Sequence, residues 1–286
     1  MVVQGAGRLD RRRARRSSPL LLQLGLVASA LAPASASTCP EVPGLGPLLL
    51  PGAVLLLGEM HGTVESPAFV EQVVCHGLAR RLEVMVGLEI PYQEQSSIDA
   101  YLASRGDSAA ERALLASEHW ARAYQDGRSS AAMLDLLRVL RRHLDAGAAL
   151  RLVLFDEQTA ERDAAMAARL AAAAEGAPNA LVVALTGNLH ARLARGSPWN
   201  ESFEPMGMFL RQRLPHREIV SLDVSHPGGS AWICTSGDAA DCGEQSLRGE
   251  DPGASGVRLT PGESPHYSGR YSVGTLHASP PAVRPP

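Results

Sequence analysis

Ala53-Val54-Leu55-Leu56-Leu57-Gly58-Glu59-Met60-His61-Gly62 opens on five uninterrupted apolar residues and closes on a glycine, a carboxylate and an imidazole. An apolar run of this kind reads as a strand buried on both faces, as in parallel sheets. Two ionisable groups at the tip of such a strand are costly to bury without partners. In open α/β sheets the carboxyl tips of the strands are also where ligands bind. The pattern returns at Ala180-Leu181-Val182-Val183-Ala184-Leu185-Thr186-Gly187-Asn188-Leu189-His190. Gly-x-x-His by itself carries little weight, and a third copy, Gly274 to His277, follows no apolar strand. The strand in front of each of the first two copies is what sets them apart.

Outward from these two units, strands and helices alternate. Helical periodicity over 66–81 follows the first strand, with Ser66-Pro67 as its start signal. A second apolar strand at 82–90 carries Glu89 at its tip and is stopped by Pro91. Helices are expected at 93–104, 109–117 and 130–145, the last with Met133, Leu136, Leu137 and Leu140 as its buried stripe. A third strand at 150–155 ends in Asp156-Glu157, and an alanine-rich helix covers 159–175. After His190 come a short helix at 205–214 and strands at 218–224 and 230–235. The expected fold is α/β, a mostly parallel sheet flanked by helices on both faces, in a single domain over 37–247. Residues 248–286 are rich in Pro, Gly and Ser without periodicity and are expected to be a disordered C-terminal tail.

The first 36 residues carry an arginine cluster at 11–16, an apolar stretch over 19–32 and Ala34-Ser35-Ala36, the layout of a cleaved export signal. The apolar part is too short for a stable bilayer span. Cleavage is expected after Ala36, with the periplasm or the exterior of a bacterium as destination. The remaining chain has 21 arginines against 29 acidic residues, a net charge of −8, which argues against nucleic acid as a partner. Not one lysine is present, so Schiff-base chemistry and the P-loop are excluded. In an oxidising compartment, Cys39, Cys75, Cys234 and Cys242 imply two disulfides, with Cys39–Cys75 and Cys234–Cys242 the favoured pairing. A small-molecule ligand or substrate is the expected partner, and a homodimer is left open.

The right-handed crossover rule sets successive strand tips along one edge. Glu59, His61, Glu89, Asp156, Asn188 and His190 fall there. Glu59 and His61 are two apart in an extended segment and project to one face. Such a set can hold a divalent metal through His61, His190 and Glu89, or act without metal as a His–carboxylate general base, or line a binding pocket. Helix capping is the plainer role for Asp156, and pairing with Asp126 the plainer role for Arg128, whose alternative is to clamp an anionic ligand. No Gly-x-Ser-x-Gly elbow supports a serine hydrolase.

Leu57-Gly58-Glu59-Met60-His61-Gly62, Gly87-Leu88-Glu89 with Gln95 and Asp99-Ala100-Tyr101-Leu102, and Thr186-Gly187-Asn188-Leu189-His190 resemble the ChaN branch of the superfamily that includes erythromycin esterases and Tiki proteases. The resemblance spans about residues 52–225 and implies a mostly parallel sheet with one pocket shared by Glu59, His61, Glu89 and His190. From their own places in the sequence, Asn188, Arg128 and Asp156 are expected as further ligand contacts. ChaN-like relatives imply an exported protein that binds haem or a metal in iron uptake. Tiki proteases imply metal-dependent proteolysis, and erythromycin esterases imply water activation by His and Glu. None of Tyr92, Tyr101, Tyr124, Tyr267 and Tyr271 matches the tyrosine that the haem role requires.

Overall fold

Leu55 and Leu57 point to one side of their strand and Val54 and Leu56 to the other, and all four are fully buried. That two-sided burial makes β1 (Val54–Glu59) a central strand. It pairs in parallel with β4 (Leu181–Gly187) on one flank and β5 (Ile219–Ser225) on the other. β2 (Val84–Pro91) lies between β4 and β3 (Leu150–Asp156), again in parallel. The computed structural model describes residues 39–250 and 253–283, so the expected signal peptide lies outside the described residues. Among the described residues, no helix is long and apolar enough to cross a membrane.

Helices cover both faces. Against one face pack α1 (Glu65–Ala79), α2 (Gln95–Leu102) and α5 (Ala131–Asp145), around Phe69, Val73, Ile98 and Leu137. Against the other pack α6 (Arg162–Glu175) and α7 (Met206–Arg213), around Met166, Leu170, Met206 and Leu210. Two short helices, α3 (Ser108–Leu115) and α4 (Glu118–Ala121), bridge α2 to α5. Asp107 caps α3 and Ser130 caps α5, each accepting from backbone N–H groups of the first turn. Ser66 does not cap α1. The helix starts one residue earlier, and the Ser66 hydroxyl is buried against Thr63 and Tyr271.

The expected disordered tail is corrected. The seven-stranded sheet runs β3-β2-β4-β1-β5-β9-β8, and its last two strands, β8 (Gly256–Leu259) and β9 (Gly269–Ser272), come from that segment. β9 is parallel to β5, and β8 closes the edge antiparallel to β9. Tyr271 is fully buried, stacks on Phe69 at 4.6 Å and donates to the Gly58 carbonyl at 3.1 Å. Further on, backbone bonds tie Leu276 to Gly228 and Ser230, and residues 277–282 to Gly62, Val64, Ser129 and Ala131. Backbone pairing holds this segment, which is why apolar periodicity missed it.

β6 (Gly228–Cys234) and β7 (Cys242–Arg248) form a separate antiparallel hairpin. Cys234–Cys242 joins its two strands, and Cys39–Cys75 pins the first described residue to α1, the pairing expected from the sequence. By loop-closure entropy the 36-residue loop of the second bridge contributes about 4 kcal/mol and the 8-residue hairpin loop about 2.5 kcal/mol.

Candidate active site

The tips of β1, β2, β3 and β4 put their polar residues on one edge of the sheet. Glu59 is the last residue of β1 and is buried, and its Oε1 lies 2.8 Å from His61 Nδ1. This contact orients the ring and aims Nε2 at Glu89, 3.6 Å from Oε1. Gly187 makes room for it, since a Cβ there would come within 3.0 Å of His61 Nε2. Gly62 follows with φ +69 and passes so close to the Trp232 carbonyl that a Cβ would lie 2.0 Å from its oxygen.

Glu89 is the hub. Its Oε2 accepts from the Thr186 hydroxyl and the Gly187 N–H, both at 2.7 Å, and its Oε1 accepts from Arg162 Nη2 at 2.7 Å. Arg128 Nη1 stands 3.6 Å from the same Oε1, and His190 Nε2 stands 4.0 Å from it. Burial alone would raise the Glu89 carboxyl. The surrounding positive charge, led by His61, outweighs it and holds the group well below the usual carboxylate range. His61 shows the converse: burial opposes its charge, but Glu89 and Glu59 outweigh burial and push it up to about 10. At neutral pH His61 is an imidazolium between two carboxylates.

His190 is held differently. It sits in a turn right after β4, with its N–H bonded to the Gly187 carbonyl. Its Nδ1 lies 2.7 Å from Asp163 Oδ1, and its Nε2 lies 2.9 Å from Arg162 Nη1. A guanidinium only donates, so Nε2 carries a lone pair and the proton resides on Nδ1, facing Asp163. Asp163 also accepts from the Met206 N–H at 2.7 Å, which locks the pair to the start of α7.

Asp156 is fully buried and accepts from Arg128 Nη1 at 2.6 Å, Arg162 Nε at 2.7 Å and Gln158 Nε2 at 2.8 Å. Helix capping is therefore not its role: it pins the two arginines that flank Glu89. Arg128 also pairs with Asp126 at 2.7 Å, as the plainer expectation had it, and this neighbour brings the Asp126 carboxyl down to about 2 against the burial that raises it. With every guanidinium so engaged, Arg128 is no free clamp for an anion. Asn188 leaves the cluster altogether, its side chain bonding to Asp223 and its carbonyl accepting from Tyr267. Sequence reasoning thus brought Glu59, His61, Glu89 and His190 together but missed Arg162 and Asp163. A signal existed: an arginine in the first turn of a helix opposes the helix dipole and needs a local carboxylate to hold it there.

The residues do not fit a divalent metal. Glu89 and His190 direct their lone pairs at the Arg162 guanidinium, which occupies the position a cation would need, and Arg128 adds a second fixed positive charge. Among the described residues no group of three His, Cys, Asp or Glu side chains is disposed to hold a metal ion. Haem fits no better. The hydroxyls of Tyr124, Tyr267 and Tyr271 are bonded to backbone carbonyls, Tyr92 lies under the Arg169 guanidinium, and Tyr101 is buried against the α2 side of the core.

No family model matches the chain, and no curated protein matches it by sequence. Solved structures do share its architecture. A histidine-to-asparagine mutant of erythromycin esterase EreC in its open conformation aligns with a TM-score of 0.59 at 13% identity, over 82% of this chain and 93% of its own. A Bacillus cereus protein aligns with a TM-score of 0.60 at 11% identity, over 84% and 93%. A succinoglycan biosynthesis protein aligns with a TM-score of 0.53 at 10% identity, over 82% and 91%. The chain has the erythromycin esterase fold that the sequence resemblance implied.

Proposed function

We propose that this chain is a metal-independent hydrolase of ester bonds, exported through the leader at 1–36. The observation that carries the reading is a pair of imidazoles, each held at Nδ1 by its own carboxylate, whose Nε2 atoms lie 3.6 and 4.0 Å from the same Glu89 oxygen. One is charged and the other has a lone pair, the division of labour that acid–base catalysis needs. Water displaces the Arg162 contact at His190 Nε2 and gives up its proton there as it attacks the ester carbonyl. The oxyanion that forms is stabilised by Arg162 Nη1, which the incoming water has released from His190. The His61 imidazolium then donates its proton to the departing alkoxide. Glu59 and Asp163 position the rings, and Glu89 keeps His61 charged. The esterase named among the fold neighbours supports an ester as the substrate bond.

The test is hydrolysis of p-nitrophenyl esters with and without a chelator. Turnover should survive chelation and should fall by about 10²- to 10⁴-fold in His190→Ala. Loss of activity on chelation, or an unchanged rate in His190→Ala, would overturn the reading. Export is checked separately: mass spectrometry of protein from its native host should find a mature chain beginning at Ser37.

A further inference from the structure

A cavity of about 300 Å³ opens beside His190, between the start of α6 and the loop that leads into α7. Its apolar lining comes from Ala160, Ala164, Phe203 and Phe209, and Arg162 and Asp163 form the wall shared with the catalytic cluster. Phe203 turns its ring edge-on to His190, with centroids 6.2 Å apart. The loop carrying Phe203 is built rather than slack. The Gly196 N–H bonds to the Phe203 carbonyl, Ser197 and Asn200 bond to each other, and the Asn200 side chain accepts from Ser202. At its tip Trp199 is 77% exposed, the most exposed large apolar side chain among the described residues. An ordered loop that holds a tryptophan in water and a phenylalanine against a catalytic ring is arranged for a ligand.

We propose that this cavity binds the acyl group of the substrate and that the acyl group is neutral and apolar, a medium-length alkyl or an aryl chain. The inference rests on the hydrolase reading. In that reading the alcohol departs beside His61, so the space beyond Arg162, against His190, takes the substituent that stays on the carbonyl carbon. A volume near 300 Å³ lies at the lower end of small-molecule sites, enough for one such group. Glu161 on the rim adds negative charge, Glu204 beside it being paired with Arg195, and this charge turns away an acyl group ending in a carboxylate.

The experiment compares p-nitrophenyl acetate, butyrate, hexanoate and the half-ester of glutaric acid. In the wild type kcat/KM should rise roughly fourfold per added methylene up to hexanoate, and the glutarate ester should fall below butyrate. Ala164→Phe, which fills the cavity, should collapse the hexanoate-to-acetate ratio to near one. A flat acyl-length profile, an unchanged ratio in Ala164→Phe, or a glutarate ester preferred over butyrate would overturn the assignment. If no ester is turned over at all, the hydrolase reading fails by itself, and the cavity is still tested by ligand-observed NMR with hexanamide. Contacts seen with the wild type and lost in Ala164→Phe support an apolar subsite; equal contacts in both, or none in either, overturn it.

Discussion

His61 and His190 follow the same spacing after a glycine on two adjacent parallel strands, yet they end in opposite chemical states. After β1 the chain runs on through Met60 and bends at His61 and Gly62, so Glu59 from the same strand reaches Nδ1, and Glu89 faces Nε2 with no cation directly between. After β4 the chain coils at once, so His190 meets Asp163 from α6 on one nitrogen and the Arg162 guanidinium on the other. Two carboxylates around one ring hold a charge on it, whereas a guanidinium donor on one nitrogen and a carboxylate acceptor on the other fix which nitrogen presents its lone pair. Identical local motifs acquire different roles because their partners arrive from different elements.

The most severe way to break this comparison is to remove each ring. His190→Ala and His61→Ala should each lower kcat by about 10²- to 10⁴-fold, read from steady-state ester hydrolysis. His61→Gln serves as a control that leaves Glu59 and Glu89 with a hydrogen-bonding neighbour, so that loss of activity is separated from loss of fold. Equal activity in either alanine variant would remove that ring from the mechanism.

The partners offer a sharper test. Because His61 holds its proton up to about 10, wild-type kcat should fall as pH rises through that value. Glu59→Gln removes one of the two charges that hold the proton and should move the descending limb to lower pH. Asp163→Asn should instead lower kcat at every pH, by about tenfold or more, through a misdirected His190 tautomer. If the two variants shift the profile alike, the two rings are not in different states.

Stability reports the same asymmetry more gently. The His61 proton is bound more tightly in the folded chain than at the ordinary value of 6.5. Its contribution is therefore complete below about pH 6.5 and is lost as pH rises through about 10. Urea unfolding of the wild type should show this alkaline decline, and His61→Gln should flatten it. The smallest expected effect is steric. Gly187→Ala places a methyl 3.0 Å from His61 Nε2 and should slow turnover by about tenfold while leaving the unfolding midpoint nearly in place.

Much of this was legible in the residues. The apolar runs before Gly58 and Gly187 marked two strands buried on both faces, the periodic segments marked the helices, and the favoured cysteine pairing is the one formed. The tip rule then gathered Glu59, His61, Glu89 and His190 on one edge. Residues 256–283 were not legible, because β8 and β9 are held by backbone pairing and by one tyrosine, Tyr271, with too little apolar periodicity to show. Nor was Asp156, which looked like a helix cap and proved to anchor two arginines, a role set by side chains more than twenty residues distant on one flank.

By itself the sequence determined which strands are buried on both faces and which imidazoles and carboxylates stand at their tips, since an uninterrupted apolar run has to be covered on both sides. Only the tertiary structure decided what those groups are. The charge on His61, the lone pair on His190 and the poor fit to a metal all follow from Arg162, Arg128 and Asp163. These arrive from other parts of the chain, and electrostatic state depends on distance in space, not on order along the backbone.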